Sequence, residues 1–387
     1  MIPAQASQFL KEYKATEIPN VKVHGRYAPC KDYIPLLFNG SAVEVNCDGT
    51  ELWVLIETDC GFHEPWICTE LNGALMSRQM LLPGTEAICL FRGMTAGVVK
   101  NVRFTRELQA MSEDDKCRIL VKGFATDGEF LPVREAKHKI EIIGDSITSG
   151  EGTYGATADT DWLAMYMSCS RHYGRLLGKM LDAEVRLFSQ GGWGVYCGWD
   201  NDVRHNIPSV YEKVCGLASG YFNEEELKTQ EPYDFSQWQP DAVIVNLGTN
   251  DNSAFDQPPL HVPGVGLCKQ RRNPDGSYVR EDAEKVIAAV IGFLKTLRRV
   301  YPKAHIVWTY GMLGYYLTPY LSEAVNTYRE ETGDSNVMFL NIPDTGAKEY
   351  GAHMHPGYVS HEHAAKVLAD YLRQRLGEEV RELTGNL

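Results

Sequence analysis

The sequence predicts an α/β protein: a doubly wound, parallel, five-stranded sheet preceded by an all-β sandwich of jelly-roll type. Three observations point there. Short β-branched and aromatic runs, punctuated by turn residues at roughly ten-residue intervals, occupy the first part of the chain. Five apolar strand candidates, each separated by helical material, occupy the rest, and that alternation means parallel pairing with helices on both faces. At 387 residues the chain is also longer than one ordinary core requires.

In residues 21–124 the β runs include Ala42-Val43-Glu44-Val45, Leu52-Trp53-Val54-Leu55-Ile56 and Ala87-Ile88-Cys89-Leu90-Phe91. Asn39-Gly40 and Asn72-Gly73 lie between such runs and are expected to close hairpins, because this pair accepts the positive φ values of a two-residue turn. Polarity rises over 126–138, which predicts two domains, residues 1–130 and 131–387. In the second, strands are expected at 139–143, 184–189, 242–247, 305–309 and 337–342. A helix between the third and fourth places Val286, Ile287, Val290, Ile291, Leu294 and Leu297 on one stripe, and Pro302 closes it. The last helix, 360–376, turns Ala364, Val367, Leu368, Tyr371 and Leu372 inward. Two irregular stretches, 194–240 and 252–278, follow strands and are expected to overhang the carboxyl edge of the sheet, since loops of that length usually serve function.

Composition narrows the function classes. Hydrophobic content of 44% and charged content of 23% fit a globular domain, and a net charge of -13 argues against nucleic acid or an anionic membrane as partner. Residues 1–20 predict neither a signal peptide nor a membrane anchor. Ten cysteines without repeated spacing predict reduced, mostly buried thiols, hence a cytoplasmic protein.

Chemistry is expected at Ile140-Glu141-Ile142-Ile143-Gly144-Asp145-Ser146-Ile147-Thr148, where a strand stops at a glycine. Open α/β sheets hold their reacting groups beyond the carboxyl ends of strands, and Ser146 stands there at the start of a helix. Taken alone, it is a helix cap. A serine nucleophile needs a general base and donors for the oxyanion. The second strand is followed by Ser189-Gln190-Gly191-Gly192-Trp193-Gly194, the third by Gly248-Thr249-Asn250-Asp251, and the fifth by Gly351-Ala352-His353-Met354-His355-Pro356-Gly357. Ser146, Gly192, Asn250 and one of the histidines thus converge from four strand ends.

In order and placement, these blocks resemble those of the SGNH (GDSL-type) hydrolases, whose sheet is flavodoxin-like. A β-sandwich ahead of such a domain further resembles carbohydrate esterase family 2, which removes acetyl groups from plant polysaccharides and their fragments. Where that family reads Gly-Arg-Gly, this chain has Gly192-Trp193-Gly194. The resemblance implies Ser146 as nucleophile and His355 as its base. It also implies an oxyanion hole made of the Ser146 and Gly192 N–H groups and the Asn250 side chain, with no metal or organic cofactor. The chain departs from the pattern at the third triad member. The family places Asp two or three residues before the histidine, where this chain has His353 and Ala352. Either a carboxylate from elsewhere or a backbone carbonyl then orients His355.

Other motifs point elsewhere. Gly150-Glu151-Gly152-Thr153-Tyr154-Gly155 matches the dinucleotide fingerprint in letters, but it starts too far beyond the strand end. With His353, His355, His361 and His363 no Asp, Glu or Cys completes a recognisable zinc ligand set; His361 and His363 are expected to be exposed or capping residues. Trp193, Tyr196 and Trp199 are candidate substrate contacts, since aromatic faces stack on sugar rings, or else packing beneath a long loop.

The expected function is removal of O-acetyl groups from plant-type xylo- or manno-oligosaccharides through an acyl-enzyme on Ser146. Two alternatives stand beside it: an acyl thioesterase or lysophospholipase on the same fold, and a carbohydrate-binding protein whose hydrolase domain is inactive for want of the acidic member. The partner is an acetylated oligosaccharide. A homo-oligomer and the role of the sandwich are left open.

Overall fold

The computed structural model describes residues 9–377; residues 1–8 and 378–387, the outer ends of the two expected domains, lie outside the described residues. Two antiparallel sheets form first. One holds β1 (Lys11–Lys14), β3 (Ile34–Leu36), β5 (Glu51–Asp59), β8 (Gly84–Arg92) and β10 (Arg118–Thr126). The other holds β2 (Lys22–His24), β4 (Ala42–Cys47), β6 (Trp66–Leu71), β7 (Ala74–Met80), β9 (Lys100–Arg106) and β11 (Phe130–Leu131). Alternate residues point between the sheets, so Val43, Val45 and Cys47 share a core with Leu52, Val54 and Ile56.

Asn72-Gly73 closes the β6–β7 hairpin, with Leu71 opposite Ala74 and positive φ at both turn residues. Asn39-Gly40 does not close a hairpin. β3 pairs with β10 and β4 pairs with β9, so this turn carries the chain from one sheet to the other. Asn39 is buried; its amide donates to the Thr148 carbonyl at 3.1 Å and its oxygen accepts from Ser189 Oγ at 3.0 Å. The side chain that suggested a hairpin turn ties the sandwich to the following domain.

That domain is built on β12 (His138–Gly144), β13 (Ala183–Ser189), β14 (Ala242–Asn246), β17 (His305–Tyr310) and β18 (Val337–Asn341), with β15 (Leu260–Val262) and β16 (Gly266–Cys268) forming a small separate hairpin. Its helices are α1 (Ser146–Ser149), α2 (Tyr173–Met180), α3 (Thr249–Ala254), α4 (Arg280–Val300), α5 (Thr318–Thr332) and α6 (Tyr358–Arg375). The five long strands are all parallel in the order β13-β12-β14-β17-β18, a flavodoxin-like order. Neighbouring residues serve opposite faces. Ile140, Ile142 and Ile244 meet Tyr173 and Leu177 of α2 and Ala364, Leu368 and Leu372 of α6. Ile143, Val243 and Val245 meet Val286, Val290 and Leu294 of α4.

The β13–β14 crossover is irregular over 194–240, as the sequence predicts. It contains only short turns, Ile207–Ser209, Phe222–Glu226 and Phe235–Gln237. Ile207, Tyr211, Val214, Leu217 and Leu227 from it are buried in the same core as α4 and do the covering that a helix would do. That core also takes in Leu37, Phe38, Ala110 and Leu120, so the sandwich packs directly on the sheet domain. A buried pair, Arg26 Nη2 to Glu141 at 2.7 Å, crosses the same junction. Among the described residues all ten cysteines are free, and no helix is long and apolar enough to cross a membrane.

His361 contradicts its expectation. It is fully buried in α6, where Nδ1 accepts from the Tyr173 N–H at 3.2 Å and the ring stacks on Tyr173. His363 is exposed, 3.6 Å from Glu349. Burial holds His361 well below the ordinary imidazole value, His172 down to about 3 and His305 down to about 4. The unfolded chain therefore takes up protons below about pH 6.5 that the native state refuses. Stability is expected to fall as pH drops from 6.5 to 5, the three neutral rings outweighing the one proton that buried Asp145, its carboxyl pushed up to about 7, takes up in the native state. A urea midpoint that stays flat over that window would contradict neutral burial of these rings.

Candidate active site

Gly144 ends β12 where a side chain has no room: a Cβ there would lie 2.0 Å from Thr148 Oγ1. Asp145, not Ser146, caps α1, its Oδ1 accepting from the Ile147 N–H at 3.1 Å. Burial pushes the Asp145 carboxyl up to about 7. Ser146 is thus the first residue of the helix, and its Oγ lies 2.9 Å from His355 Nε2.

His355 Nδ1 lies 2.8 Å from the His353 carbonyl, which can only accept, so the Nδ1–H donates and Nε2 is left free to accept from the serine. The carbonyl is in place because His353 and Met354 both adopt left-handed backbone, φ 51° and 53°. The same contortion sets the His353 ring against Glu151, whose Oε1 is 2.6 Å from His353 Nδ1 and 3.5 Å from His355 Nδ1. Its hydrogen bond to Glu151 raises the His353 pKa. Both options left open by the sequence are therefore present: a backbone carbonyl bonded to His355, and a buried carboxylate close behind.

Sequence reasoning missed Glu151. The available signal was an acidic residue flanked by glycines just after α1. Gly152 allows the close approach, since a Cβ there would come within 2.7 Å of His355 Cβ. Glu151, His353 and His355 are also the one group among the described residues whose donor atoms converge enough for a metal ion, all within 4.8 Å. The 2.6 Å contact is a direct hydrogen bond, which an ion seated between its two atoms would have to break.

Asn250 lies in α3 and Gly192 in the turn after β13. Asn250 Nδ2 donates one hydrogen to the Trp193 carbonyl at 2.9 Å, and its second has no partner among the described residues. The neighbouring carboxylate of Asp251 accepts from the N–H groups of Val195, Tyr196 and Cys197 at 2.9, 2.7 and 3.2 Å. Burial raises its pKa all the same. Gly194 is needed there, because a Cβ would lie 2.4 Å from Asp251 Oδ2.

Ser146, Gly192, Asn250 and His355 all line one cavity of about 510 Å³. Trp199 lines it as well and stands half exposed. Trp193 and Tyr196 do not. The turn pinned by Asp251 carries both onto the hydrophobic core, and Trp193 stacks on His205 at 5.0 Å. Nor does 252–278 contribute a lining residue. The opposite wall comes from Trp162 and from the sandwich, through His63, Gln109, Met111, Ser112 and Glu113. Asp114 holds one of these loops by accepting from the N–H groups of Gly61, Phe62 and His63, and the His63 ring meets Trp162 edge to face at 5.0 Å. These residues carry no motif and could not be found from spacing.

Residues 142–363 match the GDSL-like lipase/acylhydrolase family. Among solved structures, an acetyl xylan esterase, Est2A, from the rumen bacterium Butyrivibrio proteoclasticus is 52% identical, with a TM-score of 0.93 over 95% of this chain and 99% of that one. Cellulase/esterase CelE of Acetivibrio thermocellus is 24% identical over 88% of this chain and 37% of its own length. An acetylxylan esterase / glucomannan deacetylase of Cellvibrio japonicus is 27% identical over 69% of this chain and 66% of its own. The chain thus spans about a third and about two thirds of these two curated relatives. With a family match across more than half its length, joined to the two-domain architecture of the carbohydrate esterases of family 2, the chain belongs to the GDSL-like lipase/acylhydrolase family.

Proposed function

We propose that the protein is a serine esterase that removes acetyl groups from xylo- or manno-oligosaccharides. The observation that carries this is the 2.9 Å contact between Ser146 Oγ and an imidazole whose other nitrogen is already engaged, on a cavity with aromatic walls from both domains. The names of the similar proteins support an acetyl ester of a plant polysaccharide as substrate.

In the first step Ser146 Oγ attacks the acetyl carbonyl and its proton passes to His355 Nε2. The oxyanion is received by the N–H groups of Ser146 and Gly192 and the free hydrogen of Asn250 Nδ2. His355 then protonates the departing sugar oxygen, leaving an acetyl ester on Ser146. In the second step His355 takes a proton from water as that water attacks the ester, then returns it to Ser146 Oγ as the Oγ–acyl bond breaks, releasing acetate and restoring both side chains. Trp199, Trp162 and His63 offer ring faces and edges to the sugar, a wall suited to pyranose C–H groups rather than to a long acyl chain.

Burst release of nitrophenol from nitrophenyl acetate is expected from the native protein, with or without a chelator, and none is expected from Ser146→Ala. A burst that survives the substitution would exclude the acyl-enzyme. Acetate release compared over acetylated xylo- and manno-oligosaccharides assigns the sugar. A faster reaction with butyryl or longer esters than with acetyl esters would favour a lipid or thioester substrate instead.

A further inference from the structure

The sandwich does more than wall the cavity. Gln109, in the loop after β9, is 2% exposed, and its Oε1 accepts two hydrogen bonds from the sheet domain. One comes from Ser149 Oγ at 2.6 Å, at the end of the nucleophile helix, and the other from the Gly191 N–H at 2.7 Å. Gly191 immediately precedes Gly192, so this bond orients the strip of backbone from which the Gly192 N–H is aimed. Gln109 itself is rigidly held. The buried guanidinium of Arg106 donates to the Gln109 carbonyl at 2.8 Å, to Leu108 at 3.0 Å and to Leu36 at 3.1 Å. On its other side, Gln109 Nε2 donates to Met111 Sδ at 3.9 Å, and the residue lines the cavity that holds Ser146.

We infer that Gln109 is a positioning residue of the sandwich that sets the oxyanion-binding turn against the nucleophile helix. A backbone donor stabilises a transition state only if it already points where charge develops, and a glycine pair has no side chain of its own to hold that direction. A hydrogen bond from a buried, immobile acceptor supplies the missing constraint. The two domains are thereby coupled at the catalytic centre and not only through their shared core.

The inference rests on the esterase reading above, and its test separates the two. Gln109→Met keeps the length and removes both acceptor and donor. With nitrophenyl acetate its kcat is expected to fall roughly 10- to 100-fold, less than the roughly 10²- to 10³-fold loss of a whole oxyanion donor, with KM within about twofold. Affinity for a boronic acid that bonds to Ser146 and mimics the oxyanion is expected to fall by the same factor. An unchanged kcat, or a loss confined to KM and thermal stability, would overturn the positioning role. Hydrogen exchange of the native protein supplies a readout that does not depend on the variant folding: the Gly191 amide is expected to be protected although it lies in a partly exposed turn. Exchange at the rate of a free amide would sink the inference. If the native protein proves inactive on every acetyl ester, the esterase reading fails, while the exchange result still stands or falls alone.

Discussion

Replacing His355 by alanine is expected to lower kcat for acetyl-ester hydrolysis by on the order of 10⁶, the loss seen when the base of a serine–histidine unit is removed. His353→Ala is expected to keep most of the rate. The two rings stack 5.4 Å apart and are two residues apart in sequence, yet only His355 reaches Ser146 Oγ. His353 supports the base with its backbone carbonyl, which the substitution leaves in place. Alanine does cost stability at that position, because the buried Glu151 carboxylate loses the ring bonded to it at 2.6 Å, by about 1–3 kcal/mol. Activity and thermal stability should therefore separate: His355→Ala folded and inactive, His353→Ala less stable and active. Glu151→Gln belongs between them. It removes the negative charge 3.5 Å from His355 Nδ1, which helps to stabilise the imidazolium formed in the reaction, but leaves the Nδ1–H bonded to the carbonyl. If His353→Ala proves as damaging as His355→Ala, the base has been misassigned.

The second large effect is expected at Asn250. Asn250→Ala should lower kcat by roughly 10²- to 10³-fold, about 2.7–4 kcal/mol of transition-state stabilisation, with KM little changed. The amide is 8% exposed and held by the Trp193 carbonyl, so its second hydrogen is aimed before substrate arrives and no reorganisation is needed as charge develops. A loss that appears in KM while kcat stays intact would mean that Asn250 binds the sugar and not the oxyanion. The backbone donors are beyond reach of side-chain substitution, which makes this the direct probe of the hole.

The sequence by itself determined the parallel sheet, the place of Ser146 beyond β12 and the set of strand ends that meet there. These rest on local signals: apolar strand runs alternating with helical material, a stripe in α4, and glycines where β12 meets Thr148 and where the turn after β13 meets Asp251. Parallel pairing then does the rest, because it puts every strand's carboxyl end on one edge, so Ser146, Gly192, Asn250 and His355 meet without further specification.

Only the tertiary structure decided what stands behind His355, which aromatics face the cavity and what the sandwich contributes. Glu151 reaches His355 because two left-handed residues bend the 351–357 loop over Gly152, and no spacing in the chain encodes that path. Trp193 and Tyr196 were plausible by proximity to Gly192, but the Asp251 carboxylate turns their segment toward the core. Asn39 and Gln109 looked like a turn residue and an unremarked polar side chain; each is a buried amide bonded across the domain junction. Local patterns settle elements and strand ends, while the direction of a loop side chain is settled by long-range partners that meet only once both domains have folded together.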